Sequence, residues 1–305
     1  MKALLLSPNG IGDGLLMMIA HHQLQQARYE TTLYHEKADL LIPLFPNRKI
    51  CFPEESLDAD LILVLNDNSK RAWELLRNRR KYPALRFLFP TPCKAMQPQD
   101  YLFDSKTPVA TNLQNALSHI LQKKVGRENG IALPQGTFRK NKKQIVIHPT
   151  SADIKRNWLP KQFVELARRL QKKGFTISFA TSPDERPYWE FVEEEGISLP
   201  YFANLHETAA HIYESGALIG NDSGIGHLAS NLGIPTFTIS GNKKRVLLWR
   251  PDFTINEIAT LPFPLPNFKG MGFRMRENCW QAFLPVRVVT KKFLKFYETC
   301  CAHSL

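Results

Sequence analysis

Residues 61–65 read Leu61-Ile62-Leu63-Val64-Leu65, five apolar side chains in a row. A strand with one wet face alternates apolar and polar residues. One that does not alternate is covered on both faces, as in parallel sheets flanked by helices on either side. Residues 3–7 and 145–148 are short apolar runs of the same kind, each followed by a loop and a helical stretch. The chain therefore reads as an α/β protein. With 43% hydrophobic and 22% charged residues it is no disordered chain. Its 305 residues suit about two domains of roughly 150 residues each.

The order of elements divides the chain in two. A first β-α series uses strands at 3–7, 31–34, 61–65 and 86–89, with a glycine-rich loop over 8–14 and a helix over 15–26. Four prolines between 90 and 112 predict loop. The basic, apolar-free stretch at 139–143 reads as a linker. A second series follows, with strands at 145–148, 175–180, 217–220 and 236–239. Helices are predicted over 159–173, closed by Gly174, and over 184–195 and 207–215. Two such series predict two doubly wound domains facing a cleft, with ligands beyond the carboxyl ends of the strands. The expected boundaries are 1–140, 141–285 and a terminal helix over 286–305.

Five cysteines without a CxxC pair indicate neither a zinc site nor a disulfide framework, and fit a reduced compartment. No apolar run approaches the roughly 20 residues of a spanning helix. The apolar start breaks at Pro8, so it reads as a buried strand rather than a cleavable signal. The formal charge of +12 and pI of about 9.5 point to acidic partners without choosing among them.

Three segments at β-to-α junctions could carry chemistry. Asn221-Asp222-Ser223-Gly224-Ile225-Gly226-His227 ends a strand and opens a helix. Backbone N–H groups there favour an anion, Gly224 permits close approach, Ser223 can cap the helix or bond phosphate, and His227 could donate to phosphate. Asp222 could accept from sugar hydroxyls. An Asp/Ser cap with a packed histidine explains the same residues. In the second segment, His148 to Trp158, the hydroxyls of Thr150 and Ser151 with Lys155 suit a diphosphate, and equally a solvated capping loop. In the third, Asn9 to Gly14, the acid Asp13 opposes pyrophosphate binding. It reads either as a general base or as a helix cap.

Together these segments resemble glycosyltransferase family 9, the heptosyltransferases of bacterial lipopolysaccharide inner-core synthesis. Ile11-Gly12-Asp13 matches the family's I-G-D. His148, Thr150, Ser151 and Lys155, with Trp158-Leu159-Pro160 one residue shifted, match its H-x-[TS]-[TS]…K-x-W-P segment. Residues 222–229 match D-[ST]-G-x-x-H-[LI]-A throughout. Gly233-Ile234-Pro235 and Ile239-Ser240-Gly241 resemble its nucleotide-side loop.

The resemblance implies a GT-B fold of two Rossmann-like domains and an inverting, metal-independent glycosyl transfer. Asp13 would be the base on the acceptor side. Thr150, Ser151 and Lys155 would contact the donor diphosphate, Asp222 the sugar, and Ser223, Gly224 and His227 the phosphate. Glu185 would contact the nucleoside. The donor is a nucleotide sugar, ADP-heptose in the family, taken as substrate with no further cofactor. The acceptor is a lipid-linked core oligosaccharide at the cytoplasmic face of the membrane, which predicts peripheral contact with anionic lipid. In GT-B folds the terminal helix commonly crosses back to the first domain, so 286–305 is expected to pack there.

Asp58-Ala59-Asp60 fits a D-x-D cation motif but precedes a buried strand in the acceptor half, where strand-edge charge explains it better. Lys70, Arg71, Arg77, Arg79, Arg80, Lys81 and Arg86 form a basic cluster, either a solvated face or a dock for an anionic acceptor or lipid. His21-His22 reads as surface or core filling. The rival class is a catalytically inactive GT-B module that binds nucleotide as a scaffold. Nucleic acid rests on charge alone, without a recognised motif, and is not an expected partner.

Overall fold

A computed structural model describes residues 1–54, 57–263 and 279–302. The chain forms two compact units, Met1–Ala132 and Leu133–Leu305.

In the first unit the elements run β1 (Lys2–Leu6), α1 (Ile11–Gln26), β2 (Glu30–Tyr34), α2 (Ala38–Leu41), β3 (Lys49–Cys51), β4 (Leu61–Leu65), α3 (Lys70–Arg77), β5 (Leu85–Phe89), β6 (Tyr101–Leu102) and α4 (Val109–Ile120). The strands pair in parallel in the order β3-β2-β1-β4-β5-β6. This is the Rossmann order, and it reverses between β1 and β4. All five residues of β4 are buried, as its unbroken apolar run requires. Leu4, Leu6, Ile62, Val64, Phe87 and Phe89 pack one face against Ala72, Leu75 and Leu76 of α3. Helix α1 packs on β2 and alongside α4.

The second unit runs β7 (Asn141–His148), α5 (Pro160–Gln171), β8 (Thr176–Phe179), α6 (Phe191–Glu194), α7 (Leu205–Tyr213), β9 (Ser215–Asn221), α8 (Gly224–Asn231), β10 (Thr236–Ser240), α9 (Lys243–Trp249), β11 (Asn256–Thr260) and α10 (Val286–Ala302). Its parallel sheet has the order β11-β10-β9-β7-β8. The reversal lies between β7 and β9, so the loops after those strands flank the crevice where such sheets bind ligands. Alternate residues Ile145, Ile147, Ile177, Phe179, Ala217, Ile219, Phe237 and Ile239 build one core face. Phe163, Leu166 and Leu170 of α5 cover it.

Several expectations need correction. Helix α1 begins at Ile11, not at 15, and takes Asp13 into its first turn. Gly10 is its extended N-cap residue, and an acid in the first turn suits the positive end of a helix. The units divide after Ala132, eight residues before the expected 140, and residues 141–143 are strand rather than linker. Their side chains are exposed while the backbone continues β7, with Asn141 N–H donating to the Glu214 carbonyl at 2.9 Å. The predicted helix over 184–195 is a single 3-10 turn at Arg186–Tyr188 followed by the short α6. Pro187 lacks the N–H that a continuous helix needs. Finally, the expected packing of α10 on the first domain is not what its buried face does. Val289, Phe293, Phe296 and Cys300 belong instead to the second unit's core, against α5 and β11. Among the described residues no helix is long and apolar enough to cross a membrane.

Candidate functional site

In the first unit, β1 ends at the sheet reversal and hands the chain to Gly10 and α1. The Asp13 side chain folds back over Gly10, where a Cβ would lie 2.4 Å from its Oδ2. Only glycine leaves room for the carboxylate there. Behind this turn His35 is fully buried. Its Nδ1 accepts the Lys37 N–H at 2.9 Å, so its Nε2 carries the proton that is donated to the Gly10 carbonyl at 3.1 Å. Burial lowers the His35 pKa, and the neutral ring keeps this tautomer at neutral pH. Nothing in the sequence marks His35 for this role. Its partners are backbone groups, which leave no pattern in a sequence.

In the second unit the loops after β7 and β9 are stitched together by Asn221. This buried side chain accepts the Trp158 N–H at 3.0 Å and donates to the Pro149 carbonyl at 2.6 Å. Next to it Asp222 is almost completely enclosed, its side chain 7% exposed. Arg245 of α9 donates Nε to Asp222 Oδ2 at 2.9 Å, and Arg156 approaches the same oxygen at 3.5 Å. One carboxylate thus holds two guanidiniums. Arg156 escapes sequence analysis because it sits inside the Lys155–Trp158 segment without matching the family pattern. Arg245 stands in the sequence only as part of a basic run.

The two arginines border a cavity of about 540 Å³. Asp153, Lys155 and Arg156 line it from the loop after β7. Ser240, Gly241, Asn242 and Arg245 line it from the β10–α9 junction, with Trp280 as a further wall. Among the described residues the Lys155 ammonium has no carboxylate partner. With Arg156 and Arg245 it makes three cations against the two acids Asp153 and Asp222. The excess is positive, which suits an anion.

The other predicted donor residues fall into two groups. Ser223 caps α8 from an extended conformation. Its Oγ is buried, makes no cap bond and has no partner among the described residues, so a donor hydroxyl is left for an acceptor. Gly224 opens α8 beside it. Thr150, His148 and Glu185 form a separate cluster. His148 Nδ1–H donates to the Ala180 carbonyl at 2.8 Å, so its Nε2 accepts from Thr150 Oγ1 at 3.3 Å. Burial lowers the His148 pKa and keeps the ring neutral. Glu185 Oε2 accepts the N–H and the hydroxyl of Ser182, both at 2.9 Å. Burial pushes its carboxyl up. The Ser182 N–H and the Thr150 and Ser182 hydroxyls outweigh that and hold it below the ordinary range.

Two further candidates are more closely held. The Ser151 hydroxyl is spent within its own loop, on Asn157 Oδ1 at 2.6 Å and the Asp153 carbonyl at 3.0 Å. His227 lies one turn inside α8, 5% exposed and absent from the cavity wall. Burial lowers its pKa against the pull of Asp222 and the Trp249 main chain, so it is neutral near pH 7. Its Nδ1 is buried and, like the Ser223 hydroxyl, has no hydrogen-bond partner among the described residues. In the basic cluster, Arg79 is buried and held by Asp100 in two bonds of 3.0 and 2.9 Å, so it is structural. Lys70, Arg77, Arg80 and Lys81 are exposed. Asp60 accepts the Lys2 N–H at 2.7 Å at the amino end of the sheet, away from the ligand end. Among the described residues no three of His, Cys, Asp and Glu come together as a metal site.

The sequence matches Glycosyltransferase family 9 (heptosyltransferase) over residues 96–256, more than half of the chain. The chain belongs to glycosyltransferase family 9. The match takes in every donor-side candidate, while Asp13 lies outside it. No curated protein matches the sequence significantly. Among solved structures, the family 9 chain is similar to the E. coli heptosyltransferase WaaC with ADP, at TM-score 0.67 and 14% identity. That match covers 97% of this chain and 100% of the other. E. coli ADP-heptose LPS heptosyltransferase II gives TM-score 0.62 at 16% identity, covering 98% and 99%. The family 9 glycosyl transferase of Veillonella parvula gives 0.62 at 15%, covering 98% and 97%. At these identities the likeness concerns fold, and the fold is GT-B.

Proposed function

We propose that this glycosyltransferase moves a heptose, or a closely related sugar, from an ADP-sugar to a lipopolysaccharide inner-core acceptor, with inversion and without a metal. The observation that carries the donor half is the cation-rich cavity between the loop after β7 and the β10–α9 junction, together with the buried Ser223 hydroxyl at the start of α8, which has no partner among the described residues. WaaC, similar along its whole length, was solved with ADP and with ADP-2-deoxy-2-fluoro heptose, and this supports an ADP-sugar.

In this reading Asp13 takes the proton of an acceptor hydroxyl. The oxygen attacks the anomeric carbon from the face opposite the diphosphate, the bond from that carbon to the phosphate oxygen breaks, and ADP leaves. Negative charge grows on the leaving diphosphate. Lys155, the arginines and the amino end of α8 stabilise it, which is the work a divalent cation does in other transferases. Asp222 meets sugar hydroxyls, and Glu185 with Thr150 sits toward the nucleoside. The exposed cations of α3 and the turn after it serve a phosphorylated, lipid-linked acceptor at the inner face of the cytoplasmic membrane.

A donor panel tests this reading. ADP-heptose should raise the melting temperature more than ADP-, UDP- or GDP-hexoses at equal concentration. Equal shifts, or a larger one with a uridine or guanosine donor, would remove the ADP-sugar assignment.

A further inference from the structure

Arg245 and Asp222 make the shortest ion pair at the cavity, 2.9 Å, yet their surroundings differ. The Asp222 side chain is 7% exposed and fixed at the end of β9, while that of Arg245 is 45% exposed. Arg245 stands on α9 with its guanidinium 5.9 Å from the Trp249 ring, a second resting place for the cation one helical turn along. Its Nε is engaged by Asp222, and both Arg245 and Arg156 line the cavity. A diphosphate entering there is a second, stronger anion beside the same cations. Guanidinium suits phosphate and carboxylate alike through parallel N–H bonds, so the two acceptors contend for it.

We propose that Arg245 is a diphosphate ligand for which Asp222 and the diphosphate compete. The diphosphate draws the guanidinium away from Asp222, and the carboxylate is thereby released to accept from the donor's sugar hydroxyls. One residue pair then couples the two halves of the donor, because Asp222 Oδ2 gives up its 2.9 Å partner to the diphosphate. The inference rests on the donor reading above and adds Arg245, which the family pattern does not include. It makes a prediction opposite to that of a simple binding role: removing the acid strengthens phosphate binding.

The test uses inorganic pyrophosphate and ADP, titrated calorimetrically into the full chain and into the isosteric Asp222→Asn, Arg245→Gln and the double variant. Ligand-free melting curves check that each is folded. Asp222→Asn should bind pyrophosphate at least about five-fold more tightly than the unmodified protein. Arg245→Gln should bind it about five-fold or more weakly, and the double variant should lose the gain. A gain that persists without Arg245 is a general field effect and overturns the competition. Unchanged or weaker binding by Asp222→Asn overturns it as well. If Asp222→Asn does not fold, Arg245→Gln decides alone, and unchanged pyrophosphate affinity there refutes the assignment. Pyrophosphate binding with the predicted pattern but no ADP binding would instead remove the ADP donor and leave the arginine exchange standing.

Discussion

Trp280 donates its indole N–H to the Lys155 carbonyl at 2.9 Å. This bond ties the loop that carries Lys155 to the segment preceding α10, and Gln281 adds a second bond to the same carbonyl at 3.2 Å. Trp280 is 2% exposed, so the loop is held by a residue that packs in the core. Behind the indole stands Gly241. A Cβ there would lie 2.3 Å from the ring, which leaves no place for any side chain. Gly241→Ala therefore pushes Trp280 off the Lys155 loop. Donor affinity, read by ADP titration, should fall about ten-fold, with a loss of stability of about 1–3 kcal/mol from overpacking. Trp280→Phe keeps most of the packing and removes the bond, and should weaken ADP with a smaller effect on melting.

Gly10→Ala addresses the other unit. The new methyl would collide with the end of a flexible side chain, Asp13 Oδ2, so the fold survives and the carboxylate moves. A displacement of that size at a reacting group costs up to about 100-fold in rate. The expected result is a fall in kcat with unchanged ADP affinity. Unchanged kcat would show that the Asp13 position does not matter.

Much of this architecture is legible in the amino-acid sequence. The unbroken run at 61–65 dictates burial on both faces, and the motifs lie at the sheet reversals because strand ends there are where loops can gather. The features that the sequence hides have local physical causes. Asp13 lies in a helix because a first-turn acid and an extended Gly10 outweigh the poor helix propensity of Gly12 and Gly14. The arginines at the cavity come from α9 and from an unmatched motif position, and only tertiary folding puts them on one carboxylate. Terminal helix α10 joins the second core because Phe293 and Phe296 have partners in Phe237 and Phe175, a fact about packing that its own amphipathic pattern does not contain.

Arg79 and Asp100 illustrate a buried pair inside an apparently solvated cluster. Asp100 also accepts the N–H groups of Phe87 and Gln97 at 2.9 and 2.8 Å, so it organises the loop before β6 as well. Arg79→Ala leaves that carboxylate buried and short of its charge partner. It should cost about 3–5 kcal/mol by denaturant unfolding, while Arg80→Ala, at the exposed neighbouring position, should cost less than about 0.5 kcal/mol.

Acid should destabilise the chain through its histidines before its carboxylates titrate. Burial, followed by the Arg48 charge, pushes the His21 pKa down to about 4. The unfolded side chain titrates near 6.5, so below that pH the unfolded state takes up the proton first. The stabilising contribution of neutral His21 is complete above about pH 6.5 and is lost as pH falls toward 4. It amounts to about 3 kcal/mol in full. Unfolding free energy measured from about pH 7.5 to about 4.5 should drop, and His21→Leu should flatten part of that slope. A slope unchanged by the substitution would exclude His21 as its source.

The most direct measurement is transfer by Asp13→Asn under single-turnover conditions, with ADP-heptose and a heptose-deficient core acceptor, beside ADP titration of the same protein. With Asp13 as the base, the rate of transfer should fall at least about 1,000-fold while ADP affinity stays as in the unmodified chain. Transfer at the unmodified rate would contradict the account at its centre.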